Sequence, residues 1–286
     1  MSWHCACLRQ VRVGRTRRSA EAALRRPRGA TKLLYAKKLC MLVGKLKQLG
    51  FLSRHSTMKL FTTLALAATA ATQVAAHYRW MSLTINGVKT GDWQYVRQST
   101  NNNSPVAGVG GNEITCNVGG RSGGVTQTAT IAAGSTVTFN MDKAIYHHGV
   151  INVYMAKAPG AAVNYDGSGK NWFKISQLSA VTDGGKTITW PADNLTSYTF
   201  KIPATLPAGE YLIRIEHIAL HNAASSGPEF FISCAQAKIT GAGNKAPTTL
   251  VAFPGAYTGK EPGLTLDIYW PVPASYTQPG PAVWVG

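Results

Sequence analysis

Acidic side chains are scarce in this sequence of 286 residues, which holds 12 Asp and Glu against 29 Lys and Arg. Eleven of the acids lie in residues 77–286, and none belongs to a recognisable pair on a catalytic motif. Most glycoside hydrolases use two carboxylates that flank the bond to be cleaved. The scarcity of acids therefore argues against a paired-carboxylate hydrolase.

Long apolar runs, helical periodicity and internal repeats are also lacking. The apolar run that follows Lys59 is shorter than the roughly 20 residues that a bilayer span needs. No long window repeats apolar residues at helical spacing, which argues against an all-helical fold. No sequence period is present, which argues against a solenoid or another repeat architecture.

Cysteine is nearly absent from residues 77–286, which contain only Cys116 and Cys234, while the other three cysteines lie upstream. An even pair of this kind suits one disulfide in an oxidising compartment. Two buried free thiols are the alternative, and the residues alone leave both open.

The net charge of +17 is unevenly distributed. Residues 1–57 hold 14 basic side chains and one acid, whereas residues 77–286 hold 14 basic and 11 acidic ones and carry +3. A basic chain suggests a nucleic acid or an acidic membrane as partner only if the folded part carries the charge. Because it does not, we predict that neither nucleic acid nor membrane is a partner.

The segment before position 77 is typical of processing signals. Residues 1–57 are Arg-rich and acid-poor, like a transit peptide or a nucleic-acid arm, but the sequence restarts at Met58 as "MKLFTTLALAATAATQVAA". A short positive start, an apolar run and small residues before a cleavage point form a secretory signal peptide. We interpret 58–76 as that signal and 1–57 as a basic extension, either a gene-model artefact or disordered. A type II membrane anchor is the alternative.

The remaining residues, 77–286, predict one all-β domain. Short alternating apolar runs rich in Val, Ile, Thr, Tyr and Phe are separated by Gly, Pro, Asn and Asp clusters, which is typical of an antiparallel β-sandwich. The runs are "GVTQTATI", "STVTFNM", "VINVYM", "KTITW", "SYTFKI", "EYLIRIEHIAL", "EFFISCAQAKIT" and "LTLDIYW". Asn102 and Asn194 stand in glycosylation triplets, which agree with a secreted, extracellular protein.

His77 becomes a metal-binding candidate if the signal is cut after Ala76. The new terminal amine and the imidazole would then form a chelate, because a bound metal displaces the proton of the amine. Nitrogen ligands in a plane favour Cu(II). A third nitrogen is available in "YHHGV", from either His147 or His148, and since neighbouring strand residues face opposite sides, only one of them faces the metal.

The strand "EFFISC" presents a second group of candidates. Cys234 faces one side of the sheet while Glu229 and Phe231 face the other. His221, at the end of the preceding strand, could meet this pair. The alternative is that Phe231 fills the core, His221 is a satisfied histidine and Glu229 is a solvated acid.

These residues and motifs resemble a known family. The segments "HYRWMSLTINGVKTGDWQYVR", "NEITCNVGG", "YHHGVINVYMAKAP", "LPAGEYLIRIEHIALH", "EFFISCAQ" and "YTQPGPAVW" occur in the order found in fungal lytic polysaccharide monooxygenases of auxiliary activity family 9, once classed as glycoside hydrolases. The resemblance covers residues 77–286. It implies an immunoglobulin-like β-sandwich with long loops and a flat substrate-binding face that holds one copper ion in a histidine brace.

The resemblance also implies roles for individual residues. The brace would consist of the amine and Nδ1 of His77 and the Nε2 of His147, with His148 at a variable position. His221 would hydrogen-bond oxygen species near the metal. Tyr276 would stack on glucose rings, whose apolar faces suit aromatic contact.

Cys116 and Cys234 match the family's disulfide. The chain departs from the family at two other positions. Where the family usually has Gln-x-Tyr, this chain has Glu229 and Phe231. Phenylalanine at the axial position resembles related bacterial monooxygenases. A carboxylate only accepts hydrogen bonds, whereas the glutamine amide donates one, so Glu229 bears directly on catalysis. The alternative is that a dry, apolar pocket keeps Glu229 protonated, which would restore a donor.

The function implied is copper-dependent oxidative cleavage of β-1,4-glucan, above all cellulose, at carbon one or carbon four of a glucose unit. Dioxygen or hydrogen peroxide would be the co-substrate, and a small reductant or a secreted dehydrogenase the external electron donor. The protein would be a monomer. Two alternatives are a copper-binding histidine-brace protein without oxygenase activity and a non-catalytic polysaccharide-binding sandwich.

Overall fold

The computed structural model describes residues 77–286, so the extension at 1–57 and the signal peptide at 58–76 lie outside the described residues. The described part is mostly β-structure. Its strands are β1 Trp80–Ile85, β2 Val88–Lys89, β3 Val106–Ala107, β4 Ala129–Ala132, β5 Thr136–Met141, β6 Gly149–Lys157, β7 Trp172–Leu178, β8 Val181–Thr182, β9 Ile188–Thr189, β10 Ser197–Lys201, β11 Gly209–Ala219 and β12 Glu229–Thr240. Its helices are α1 Glu113–Cys116, a 3-10 turn Ala162–Asn164 and α2 Pro262–Thr265.

The smaller sheet contains four antiparallel strands in the order β10-β5-β1-β2. In β5, Val137 and Phe139 are fully buried while Thr136 and Thr138 are more exposed. This alternation is what a strand shows when one face covers a core and the other faces water. The sheet therefore forms one layer of a sandwich.

The larger sheet has the order β3-β12-β11-β6-β7, with β4 added beside β12. Its pairs are antiparallel except β4 with β12, which is parallel in the register Ala129 to Ala237. The predicted antiparallel β-sandwich of the immunoglobulin-like class is thus confirmed, with one parallel pair that the sequence pattern did not indicate.

The larger sheet is buried on both faces, which explains the nearly continuous apolar runs of β11 and β12. One face packs on the smaller sheet, where Phe231 of β12 shares a core cluster with Trp80 and Phe139. The other face is covered by the long loops, where Phe230 stacks on Tyr257. Alternation along β12 therefore sends successive side chains into two separate cores.

A buried ion pair fastens the loop layer to the larger sheet. Arg214 and Glu216 are both fully buried on β11, with Nη2 and Oε2 2.7 Å apart. Arg214 also donates to the carbonyl oxygens of α1, and Glu216 accepts from the Tyr257 hydroxyl. Buried charges of this kind are stable only when paired and hydrogen-bonded. The network therefore ties α1 and the segment that carries Tyr257 to the larger sheet.

One predicted strand is wrong. The run "LTLDIYW" begins inside α2 and continues as a turn in which the carboxylate of Asp267 accepts the backbone N–H groups of Tyr269 and Trp270. Pro262 favours the first turn of a helix, and aspartate favours turns by accepting backbone hydrogen bonds. Neither helix of the described residues has the length and apolar character to cross a membrane.

Candidate metal centre

The predicted site residues meet at one end of the larger sheet. Ala219, the last residue of β11, pairs with Gly149 at the start of β6 and with Glu229 at the start of β12. Side chains just before β6, just after β11 and at the start of β12 therefore converge. This register brings His147 and His221 to Glu229.

The first described residues are fixed to the same end of the sheet. The Trp80 indole N–H donates to the carbonyl of Phe231 at 3.1 Å, and the Ser233 hydroxyl donates to the carbonyl of Trp80 at 3.0 Å. These bonds hold the start of β1 against β12. His77, three residues earlier, is thereby placed beside the strand ends.

Three side chains form a possible metal-binding group. One ligand atom from each of His77, His147 and Glu229 lies within 4.8 Å of the other two. The His77 and His147 ring centroids are 5.9 Å apart. His221 stacks on His147 with centroids 4.0 Å apart and planes 7° apart, and its Nε2 is 3.9 Å from a carboxylate oxygen of Glu229. The structure thus brings together all four polar candidates.

The two adjacent histidines have different environments. His148 Nδ1 lies 2.7 Å from the Asp193 carboxylate, and its ring stacks on Trp190 at 6.2 Å. The Nε2 of His147 is buried and has no hydrogen-bond partner among the described residues. A buried polar atom without a partner is unfavourable unless a ligand satisfies it. His147 belongs, with His77 and Glu229, to the group of described residues that could hold a metal, and His148 does not.

Electrostatics keep His147 in the form that binds metal. Burial, together with the neighbouring His221, His77 and His148, lowers its pKa to about 4. The imidazole is therefore neutral near pH 7, with a lone pair free on one nitrogen. A metal would not have to displace a proton from this ring.

Phe231 lies below the histidines as a buried apolar surface. Its side chain is 3% exposed, and its ring centroid is 5.6 Å from His77 and 6.1 Å from His147. Phe231 therefore fills the core, as one interpretation of the sequence expects, and also borders the candidate site, as the other expects. A phenyl ring offers no ligand atom on that side.

A buried tyrosine and histidine pair, which sequence reasoning missed, lies behind Phe231. The Tyr78 hydroxyl and His217 Nδ1 are 2.7 Å apart, and the Tyr78 ring packs 4.3 Å from Phe231. Burial raises the pKa of Tyr78 and lowers that of His217 to about 3, so both groups are neutral. Nothing in the local sequence at position 78 or 217 signals this contact, because the two residues are 139 positions apart in the chain.

The metal-free protein is expected to lose stability as the pH falls below about 6.5, because of His217. An unfolded histidine titrates near ~6.5, whereas burial lowers the folded pKa to about 3. Between these values only the unfolded chain binds the proton, so the free energy of unfolding falls by about 1.4 kcal/mol per pH unit. The free energy of unfolding, measured in urea, should depend less steeply on pH in the His217→Gln variant than in the parent protein. Equal slopes in the variant and the parent would contradict the assignment.

Tyr276 and the two glycosylation candidates lie around this end of the molecule. Tyr276 is half-buried, donates its hydroxyl to the carbonyl of Gly263 at 3.0 Å and meets Trp190 edge-on at 5.9 Å. Asn102 and Asn194 are exposed loop residues with positive φ. Their exposure is compatible with modification.

Cys116 at the end of α1 and Cys234 in β12 form a disulfide. Both residues are buried in the core between the larger sheet and the loop layer. The crosslink joins the loop before β4 to the strand that carries Glu229 and Phe231.

Comparison with known proteins agrees with this architecture. Residues 77–276 match the model of Auxiliary Activity family 9, formerly GH61. The AA9 family lytic polysaccharide monooxygenase C of Emericella nidulans is 48% identical over 232 residues, which cover 79% of this chain and 98% of that protein. The AA9 family lytic polysaccharide monooxygenase H of Malbranchea cinnamomea is 47% identical over 229 residues, which cover 78% of this chain and 96% of that protein.

Among solved structures, a cellulose-active polysaccharide monooxygenase from M. thermophila matches with a TM-score of 0.65 and 32% identity, over 73% of this chain and 100% of that chain. The match in family, sequence and fold spans nearly all the described residues. The chain belongs to Auxiliary Activity family 9.

Proposed function

We propose that residues 77–286 are a secreted, copper-dependent lytic monooxygenase that cleaves a β-1,4-glucan, cellulose above all, by oxidising carbon one or carbon four of a glucose unit. The observation that carries this proposal is the approach of His77 to His147 and Glu229, together with the buried Nε2 of His147, which has no hydrogen-bond partner among the described residues. Membership of a family of lytic polysaccharide monooxygenases supports the reaction class.

The residues fit a copper ion held by three nitrogens. After cleavage behind Ala76, His77 would supply its amine and Nδ1, and His147 its Nε2. Nitrogen donors suit Cu(II), which also stands highest among the divalent ions in affinity. The neutral state of His147 at pH 7 and the absence of a competing hydrogen bond among described residues agree with this assignment.

Copper supplies, when bound, the one-electron chemistry that activates dioxygen or hydrogen peroxide with electrons from a small reductant or a secreted dehydrogenase. The side chains around it set the environment of the reacting oxygen. His221 offers its ring nitrogens as hydrogen-bonding groups, and Glu229 offers carboxylate oxygens that accept. Phe231 closes one side with an apolar face and excludes water there.

The glucan would lie over this end of the molecule, and the protein would bind it as a monomer. Tyr276 presents a half-buried ring that is braced by Trp190, and a braced ring loses little freedom when a sugar stacks on it. The hydroxyl of Tyr276 is already used by Gly263, which leaves the ring face for contact. Cellulose chains have flat apolar faces that match such a surface.

A second candidate is a copper-binding protein without oxygenase activity. Glu229 favours it, because a carboxylate cannot donate a hydrogen bond to an oxygen that gains negative charge. A third candidate, a polysaccharide-binding sandwich that ignores metal, would need Tyr276 but not His147. Copper uptake separates the third from the first two, and product formation separates the first two from each other.

The test uses the chain that begins at His77, loaded with copper and supplied with ascorbate and swollen cellulose. We expect soluble oligosaccharides with oxidised ends, detected by mass spectrometry, and none when copper is removed with a chelator. Stoichiometric copper binding without such products would favour the second candidate. Cellulose binding without copper uptake would favour the third.

Replacing Glu229 by glutamine is expected to raise the turnover number about tenfold. The amide Nε2 donates a hydrogen bond where the carboxylate repels negative charge, and one donor to a developing oxyanion is worth roughly 10²–10³ in other enzymes. The measurement is the initial rate of product release at saturating cellulose. Glu229→Leu, which removes the charge without adding a donor, should give a smaller rise, and a fall in rate for Glu229→Gln would contradict the role given to residue 229.

A further inference from the structure

The side chain of Asn103 reaches the backbone of His77. Its Nδ2 donates to the carbonyl oxygen of His77 at 3.2 Å, across 26 positions of sequence. Both residues are half-buried. Among the described residues, no other hydrogen bond reaches the backbone of His77. None of the roles assigned above uses Asn103.

The turn that carries Asn103 has a fixed backbone. The Asn101 side-chain amide donates to the carbonyl of Ser104 at 2.7 Å, and the Ser104 N–H donates to the carbonyl of Asn101 at 3.2 Å. Asn102 between them has a φ of 56°, which asparagine adopts more readily than most residues. Two residues after this turn, β3 begins and pairs with the start of β12. The amide of Asn103 is therefore presented from a fixed position beside the start of β12.

The residue after His77 is held independently. Tyr78 is 2% exposed, and its hydroxyl lies 2.7 Å from His217 Nδ1. The peptide group that joins residues 77 and 78 is thus held by the Tyr78 side chain on one side and by Asn103 at its carbonyl oxygen. The first residues of a domain are poorly ordered unless contacts hold them in place. Asn103 supplies such a contact at His77.

Both proposed metal ligands of His77 extend from its Cα atom, next to this peptide group. If the peptide group moves, the amine and the imidazole move with it relative to His147. Copper binding would then have to order the terminus, and the lost conformational entropy would oppose binding. A carbonyl that is already held removes part of this cost before the metal arrives.

We propose that Asn103 is a positioning residue for the metal centre. Its hydrogen bond to the carbonyl of His77 holds the first residue of the mature chain in place, so that the amine and ring of His77 face His147. The proposal rests on the copper-binding function above and deepens it. In this role Asn103 contacts neither the metal nor the substrate and acts through His77.

The first test uses the metal-free, unglycosylated chain that begins at His77. The N–H of Tyr78 belongs to the same peptide group as the carbonyl of His77, so its NMR order parameter reports on this hydrogen bond. We expect about 0.85 in the parent, as in rigid backbone, and a value near ~0.6 in Asn103→Ala. Asn103→Asp has the same shape without a donor at neutral pH and should lose order in the same way. An unchanged order parameter in both variants would overturn the proposal.

The second test measures copper(II) affinity by competition with a chelating dye. We expect about tenfold weaker binding for Asn103→Ala, the lower end of the effect of losing a hydrogen-bond partner around a metal ligand. Asn102→Gly is the matched control. It removes the neighbouring amide, which has no hydrogen bond among the described residues, and glycine accepts the positive φ. This control should bind copper within about twofold of the parent, because it leaves the bond of Asn103 in place.

Urea unfolding of the metal-free proteins separates positioning from a general loss of folding. The midpoints of Asn103→Ala and the parent should agree within about 0.5 M. A larger fall in the midpoint, equal losses of copper affinity in Asn103→Ala and Asn102→Gly, or unchanged copper affinity in Asn103→Ala would overturn the positioning role. A parent that binds no copper would contradict the proposed function, while the order parameter of Tyr78 would still decide whether Asn103 holds His77.

Discussion

Replacing His147 by alanine is expected to lower the affinity for copper(II) by more than about 100-fold, and the same change at His148 by less than about threefold. Loss of an outer-shell partner already costs roughly 10–100-fold in metal affinity, and loss of a ligand costs more. The two residues are adjacent and equally simple to replace. Their different surroundings alone produce the different expectations.

The structural reason is the position of the two rings. The His148 ring packs on Trp190 and is not part of the group formed by His77, His147 and Glu229. His147 keeps a buried Nε2 without a partner among the described residues and lies 5.9 Å from the His77 ring. Competition with a chelating dye, using the chain that begins at His77, measures both variants. Equal losses, or a larger loss for His148→Ala, would contradict the assignment.

Removing the disulfide is expected to lower the free energy of unfolding by about 4–5 kcal/mol. The crosslink between Cys116 and Cys234 closes a loop with a sequence separation of 118. In the chain-entropy account, a loop of about 100 residues contributes roughly 4.7 kcal/mol by restricting the unfolded chain. Equilibrium unfolding in urea of the Cys116→Ala/Cys234→Ala double variant measures the change.

Two comparisons make this prediction specific. The parent protein unfolded with a thiol reductant present should lose a similar amount, because both treatments open the same loop. The double variant should retain the sheet structure at neutral pH, since its two core clusters involve many other buried side chains. A loss below about 1 kcal/mol would mean that the unfolded chain is restricted by something other than the crosslink.

Strands with strong apolar patterns could be predicted from the sequence, and the remaining elements could not. β11 and β12 pair along their whole length and coincide with the runs "EYLIRIEHIAL" and "EFFISCAQAKIT". The run "LTLDIYW" has a similar composition, yet it becomes α2 and a turn, because Pro262 and Asp267 favour local hydrogen bonds over pairing. The parallel pairing of β4 depends on tertiary contacts that no local pattern encodes.

The candidate site was predictable as a set of residues but not as an arrangement. Alternation along "EFFISC" indicated that Glu229 and Phe231 share a face opposite to Cys234, and the two core clusters agree with this. The choice between His147 and His148 required either the family resemblance or the contact with Asp193, which is 45 residues away from His148. The Tyr78–His217 pair was missed because the two residues are 139 positions apart in the sequence.

In the proposed site copper binding requires a free amine on His77, and a comparison of two forms of the chain tests this requirement. One form begins at His77, and the other carries a single additional alanine ahead of it. We predict that the extended form binds copper(II) at least about 100-fold more weakly and releases no oxidised sugars from cellulose, because it lacks one ligand nitrogen. Equal copper affinity and equal glucan oxidation by the two forms would contradict the account.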